Sequence, residues 1–225
     1  MPSLENLFTD LRNINVIDNT IPYSQYIPLD LSEDNLELSQ LNISDATEFE
    51  TYIEDFLAKN KGLVAYGGYK EVRNLYKRST VFNSDTEERN IHIGLDLWIK
   101  AGTPVLAALD GKVHSFKNND NLGDYGPTII LEHQLENYTF YTLYGHLALE
   151  SIESIMVGDL FYKGQQLATL GAPPVNGDYA PHLHFQIIKN IDFNFGDYPG
   201  VCSKNKLAYY EENCPDPNLL LKILQ

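Results

Sequence analysis

The sequence predicts a mainly β chain, α+β overall: a β-rich core preceded by a helical and extended segment and closed by short C-terminal helices. Three observations carry this expectation. Between Ile91 and Ile99 the odd positions are Ile91, Ile93, Leu95, Leu97 and Ile99, while the even ones are His92, Gly94, Asp96 and Trp98, the period of two of a half-buried strand. Leu183, Phe185 and Ile187 alternate with His182, His184 and Gln186 in the same way. By contrast, Phe49, Tyr52, Ile53, Phe56 and Leu57 recur at helical spacing, so an α-helix precedes the strand-rich part.

In chain order, Leu4, Leu7, Phe8 and Leu11 form a short stripe that suggests a first helix, and Pro22 and Pro28 mark an extended link after it. Asp45 and Glu48 make a capping box for a helix from about Ala46 to Lys61, which stops at Gly62. The stretch Leu63–Phe82 gathers tyrosines with Lys70, Arg73, Lys77 and Arg78 in an otherwise acidic chain. It reads as a solvated strand pair, or as a cleft wall that binds a substrate carboxylate. After the second histidine strand, Leu207 with Tyr210 suggests a helix, and Asp216 followed by Pro217 an N-cap and first position of another. The division expected is residues 1–80 as a segment packed on the core and 81–225 as the β-rich domain with its helical tail.

Composition narrows the function. The 225 residues, 43% hydrophobic, suffice for one good core. Sixteen basic against 31 acidic residues give a net charge of −15, which argues against nucleic acid and anionic membrane surfaces as partners. The start MPSLENLFTD lacks the basic and apolar regions of a signal peptide, and no run approaches the roughly 18 apolar residues of a membrane span, so a cytoplasmic chain is expected. Cys202 and Cys214 are then expected as free thiols rather than a disulfide.

Chemistry concentrates in two clusters. An HxxxD pair, His92 and Asp96, and an HLH triplet, His182 to His184, supply metal-ligand residue types in a chain with six histidines. On a strand, i and i+2 lie roughly 6.5 Å apart, so one of His182 and His184 can bind an ion while the other faces what the ion binds. A straight strand would hold His92 and Asp96 about 13 Å apart, too far for one ion. Gly94 between them is the natural place for a bend. Two histidines and one aspartate leave a tetrahedral zinc one open position, as catalytic zinc requires.

These residues carry a family resemblance. The runs HIGLDLWIKAGTPVLAALDGKV (His92–Val113), YGHL (Tyr144–Leu147), VGDLFYKGQQLATLG (Val157–Gly171) and PHLHFQI (Pro181–Ile187) resemble, in order and spacing, the lysostaphin-type (LytM-like) zinc endopeptidases that cut peptidoglycan. The likeness covers about half the chain, from roughly Asn90 to Ile188, and its tail resembles that of an intracellular branch of the family. It implies an antiparallel β-sheet core with the duplicated hybrid motif of that fold, zinc ligands at His92, Asp96 and His184, and catalytic histidines at His146 and His182. It also implies a peptide or muropeptide substrate. The chain departs from the family at GDYGPT (Gly123–Thr128), at GAPPVNGDYA (Gly171–Ala180) and at SDTEERN (Ser84–Asn90), where relatives carry a tyrosine shortly before the first histidine. The first two segments are expected to border the cleft, and these departures bear on substrate choice.

Taken singly, a histidine on a strand is more often an ordinary core or surface residue. His114 and His133 have no supporting motif and are read as structural. VLAALDGKV and VGDLFYKGQQLATL also look like hairpins of lipoyl, biotinyl and glucose-type phosphotransferase carriers. A carrier needs a lysine at a tight hairpin tip, however, and a phosphoryl carrier gains nothing from HxxxD. The alternative from another class is a non-catalytic module that binds glycopeptide on the same fold; such degenerate relatives typically lose ligands, and all five positions are present here.

Overall fold

The computed structural model describes residues 2–74, 83–84 and 87–223. Its strands are β1 (Tyr26–Pro28), β2 (Val64–Gly67), β3 (Asn83–Ser84), β4 (Glu87–Glu88), β5 (Ile91–His92), β6 (Leu95–Trp98), β7 (Pro104–Leu106), β8 (Gly111–Asn119), β9 (Gly126–Leu135), β10 (Tyr138–Gly145), β11 (Leu160–Phe161), β12 (Gln166–Thr169), β13 (His182–Ile188) and β14 (Val201–Cys202). Eight of them form one sheet in the order β1-β2-β6-β13-β10-β9-β8-β11, antiparallel except for the β1–β2 edge pair. The chain is mostly β, as the alternating patterns predict.

The sheet is covered on both faces. One face packs Leu95, Leu97, Ile129, Leu131, Leu183, Phe185 and Ile187 against Leu4 and Phe8 of helix α1 (Leu4–Asp10) and against Leu220 and Leu221 near the C-terminus. The other carries Ile130, Leu143 and Ile188, with Ile91, Ile93, Tyr198, Cys202 and Cys214 packed over them. This corrects the half-buried expectation, because every residue from Ile91 to Trp98 is buried. Within β6 the period of two separates Leu95 and Leu97 from Asp96 and Trp98, and both faces are interior; Ile91 and Ile93, ahead of the break, pack in the second cluster.

Helix α2 (Ala46–Asn60) follows the expected stripe. Asp45 accepts the Thr47 and Glu48 N–H groups, but Glu48 receives Asn42 N–H in place of Asp45 N–H, so only half of the capping box forms. Lys61 takes a left-handed φ of 56°, and Gly62 N–H bonds Leu57 O, ending the helix. Phe49 and Ile53 pack on Leu29, Leu31, Ala65 and Trp98, with Tyr52, Phe56 and Leu57 alongside.

Two further expectations change. The link containing Pro28 includes an edge strand, β1, where a proline at the strand end costs no ladder bond. Val64–Gly67 is an internal strand between β1 and β6 with Val64, Ala65 and Tyr66 buried, not a solvated pair. Ala65 packs under α2, while Val64 and Tyr66 join the main core. Lys77 and Arg78 lie outside the described residues. At the C-terminus, α3 (Leu207–Asn213) and α4 (Asn218–Leu221) form, with α4 beginning one residue later than expected: Pro217 holds the cap position and Asp216, before it, accepts Asn218 N–H. Cys202 and Cys214 are buried free thiols. No helix among the described residues is long and apolar enough to cross a membrane.

Candidate metal centre and cleft

The register of three adjacent strands brings the polar residues together. In the β13–β6 pair His184 stands opposite Asp96 and His182 opposite Trp98, while Gly145 of β10 stands opposite His184 on its other side. His146 follows β10 directly. It takes a left-handed φ of 64°, rare for a residue with a side chain, which turns the chain out of the strand at the cleft. His92 comes from β5, and the ladder breaks at Ile93–Gly94 before β6 begins. That break achieves what a straight strand cannot, bringing His92 Nε2 to 3.3 Å from Asp96 Oδ1. Glycine is required at 94 because a Cβ there would lie 2.4 Å from His184 Cε1.

Three ligand atoms then form a triangle. His184 Nδ1 lies 3.1 Å from Asp96 Oδ1 and 3.0 Å from His92 Nε2. A tetrahedral zinc with bonds of about 2.0 Å has ligand–ligand edges of about 3.3 Å, so these three atoms are spaced as one face of such a tetrahedron. Among the described residues, this is the one group of three or more His, Cys, Asp or Glu close enough to hold a metal ion.

The hydrogen-bond partners set the tautomers. His92 Nδ1 lies 3.1 Å from Gly68 O and donates to it, leaving Nε2 as a lone pair in the triangle. His184 Nε2 donates to Gln186 Oε1 at 3.0 Å, leaving Nδ1 in the triangle. Gln186 is itself held by donation to Pro199 O and Cys214 Sγ. Burial, with the Arg73 guanidinium adding to it, pushes His92 down to about 4, so it is neutral at pH 7. Burial alone would raise Asp96; the neighbouring His92 and the Arg73 guanidinium hold it well below the usual carboxylate range.

His146 and His182 form a second pair facing the same cleft, with ring centroids 4.2 Å apart. His146 Nδ1 donates to Asn176 O and His182 Nδ1 to Ala180 O, so each presents an unprotonated Nε2. Both are held below the usual imidazole range, first by burial, and for His146 also by the neighbouring His182. His182 stacks on Trp98 with centroids 5.5 Å apart.

The cleft encloses about 230 Å³, and its walls include Phe49, Trp98, Tyr125, Tyr179 and Tyr198. The structure thus brings His92, Asp96, His184, His146 and His182 to one place. It keeps His114 and His133 away from it: His133 bonds Asp110 O and Thr142 Oγ1, and His114 bonds Ser115. Sequence reasoning expected both departing segments at the cleft, and Gly123–Tyr125 and Tyr179–Ala180 do line it. It missed the individual tyrosines. Tyr125 OH lies 3.4 Å from His184 Nε2, and the Tyr179 ring packs edge-on against His146. It also missed Gln186, whose position two residues after His184 on the same strand face was the available signal. Lys70 pairs with Glu211 at the surface, and Arg73 faces Asp96.

Comparison with known proteins adds the following. Residues 90–194 match peptidase family M23. Peptidoglycan DD-endopeptidase ShyC of Vibrio cholerae is 32% identical over 106 residues, 47% of this chain and 22% of that protein. An uncharacterized metalloprotease of Haemophilus influenzae is 32% identical over 95 residues, 42% of this chain and 18% of that protein. The chain therefore spans about a fifth of the length of these curated relatives. Among solved structures, the catalytic domain of lysostaphin from Staphylococcus simulans is 24% identical with a TM-score of 0.38, covering 54% of this chain and 80% of that one. A zinc-containing peptidase from Vibrio cholerae is 27% identical with a TM-score of 0.35, covering 48% and 34%. The matched residues 90–194 contain His92, Asp96, His146, His182 and His184, so the likeness to peptidase family M23 covers every histidine and aspartate of the cluster.

Proposed function

We propose that this domain is a zinc-dependent metalloendopeptidase that hydrolyses peptide bonds in peptidoglycan-derived peptides or a related small peptide. The observation that carries the reading is the triangle of His92 Nε2, Asp96 Oδ1 and His184 Nδ1, with edges of 3.0, 3.1 and 3.3 Å, beside a second pair of neutral histidines. The three-residue set fits zinc in donor type, spacing and charge, and supplies one donor fewer than a tetrahedral ion would take. When bound, zinc supplies Lewis-acid polarisation of a carbonyl and acidifies a water molecule toward a pKa of about 7.

The chain's own residues supply the proton handling. His146 and His182 have their Nδ1 protons committed to backbone carbonyls, so each Nε2 can accept a proton from the attacking water. With rings 4.2 Å apart in a buried site, the pair holds one added proton rather than two. One histidine thus acts as base, and the proton it takes returns to the departing amine. The same ring, once protonated at Nε2, donates toward the developing oxyanion before it passes the proton on. The aromatic walls exclude water and hold the peptide.

The test begins with metal analysis of protein purified without added zinc, followed by mass spectrometry of a muropeptide and peptide panel. Close to one zinc per chain is expected, lost in His184→Ala and kept in His114→Ala. His182→Ala should keep its zinc and lose activity by roughly 10² or more, the range of a proton-transfer group. Equal zinc content in the His184 and His114 variants, or zinc lost with His182, would overturn the division of roles. Full zinc with no cleavage of any panel member would favour the binding module.

A further inference from the structure

We infer that Arg73, from the segment ahead of the matched domain, is a positioning residue of the metal centre, fixing which oxygen of Asp96 faces the ion. The inference rests on the zinc reading above. Asp96 divides its two oxygens cleanly: Oδ1 faces His92 Nε2 and His184 Nδ1, while Oδ2 accepts from Arg73 Nη1 at 2.5 Å. A carboxylate free to rotate can offer either oxygen, or both, to a cation. With Oδ2 held by a charge-assisted bond, only Oδ1 remains for the triangle.

The guanidinium is itself fixed. Its Nε donates to Glu71 Oε2 at 2.6 Å, and the other Glu71 oxygen accepts Leu31 N–H at 2.9 Å. The guanidinium carbon lies 5.6 Å from the Trp98 ring, the same ring that stacks on His182. The backbone is pinned as well. Arg73 N–H bonds Asn90 O, His92 N–H bonds Glu71 O, and Lys70 N–H bonds His92 O, so residues 70–73 run beside the His92 segment. Arg73 and Asp96 side chains are 1% and 3% exposed. A buried guanidinium is costly without partners, so the Glu71–Arg73–Asp96 chain is kept for its geometry as a unit.

Charge sets the one competing effect. A cation next to a metal ligand repels the metal and draws electron density from the carboxylate, which weakens binding. Glu71 on the far side offsets that, because the three side chains sum to −1 before the ion arrives. Orientation therefore dominates, and losing Arg73 should weaken zinc binding by about 10- to 100-fold, the usual effect of removing a group that orients a ligand. Lysine in its place keeps the charge but has one ammonium where a fork bridges two carboxylates, so it should not restore affinity.

The experiment measures zinc affinity by chelator competition, and the visible spectrum of the cobalt(II)-substituted protein, for wild type, Arg73→Lys and Arg73→Met. The double variant Glu71→Gln/Arg73→Met preserves the charge balance should the single change fail to fold. Weaker zinc binding with altered cobalt bands in the folded variants supports the inference. Wild-type affinity and spectrum in these variants, or full recovery by Arg73→Lys, would overturn it. Tighter binding without Arg73 would also overturn it, showing that the guanidinium competes with the ion for Asp96. Wild-type protein that binds no zinc removes the metal reading itself, an outcome distinct from all of these.

Discussion

Replacing Gly94 with alanine tests whether the break between β5 and β6 builds the metal centre. The added Cβ would lie 2.4 Å from His184 Cε1, 2.6 Å from Nε2 and 3.0 Å from Phe185 O. Ordinary contact begins near 3.4 Å, so either the ring or the backbone at 94 must retreat by about 1 Å. The ring has nowhere free to go, because Nδ1 is turned to Asp96 and Nε2 to Gln186. Metal-ligand bonds tolerate departures of only about 0.2 Å, so a shift of that size detaches a ligand. Zinc affinity should fall by more than about 100-fold, beyond the range for losing an orienting neighbour alone. Overpacking of this kind costs roughly 1–3 kcal/mol, a fall in melting temperature of roughly 2–12 °C for a chain of this length. Gly102→Ala is the matched control: its φ of +79° disfavours a side chain by about 1–2 kcal/mol, but a Cβ there meets nothing within 4 Å. Chelator competition and calorimetry on both variants separate stability from metal binding. Gly94→Ala protein that binds zinc like wild type would refute the argument that close approach of this backbone to His184 shapes the centre.

Two other perturbations address the fold around the site. His133 is buried, donates to Asp110 O and accepts from Thr142, and burial holds it at about 4 instead of 6.5, so it is neutral when folded while the unfolded chain takes up a proton below 6.5. Its contribution is present above about pH 6.5 and lost as pH falls toward 4, worth about 3 kcal/mol, and His133→Gln should flatten the acid side of the melting profile of metal-free protein by that amount. An unchanged pH profile would refute it. Deleting residues 1–62 removes Leu4, Phe8, Ile17, Tyr26, Leu29, Leu31, Phe49 and Ile53 from buried positions. At roughly 1.5–3 kcal/mol each against a typical net stability of about 5–15 kcal/mol, the truncated chain should be insoluble or strongly destabilised; a soluble one that melts like full-length protein would show the segment to be a detachable cover.

The parts of the site legible in the sequence are those set by local geometry. His92 and Asp96 share a strand face with a glycine between them, and His182 and His184 share another, so residue type and a period of two suffice to nominate them. Helix α2 was legible for a similar reason, its five apolar side chains falling on one stripe. Alternation alone could not reveal that the polar face is also buried. That burial comes from residues far away in sequence: Cys214 and Pro199 behind Gln186, Gly68 behind His92, and Tyr125 and Tyr179 around His146. Arg73 shows the limit most sharply. In the sequence it is one of several basic residues in an acidic chain, and a substrate carboxylate is as good a partner for it as any. Only the pairing of residues 70–73 with the His92 segment aims it at a carboxylate of the protein itself. Long-range register therefore decides whether a cation faces the cleft or Asp96, and motif spacing carries no information about that choice.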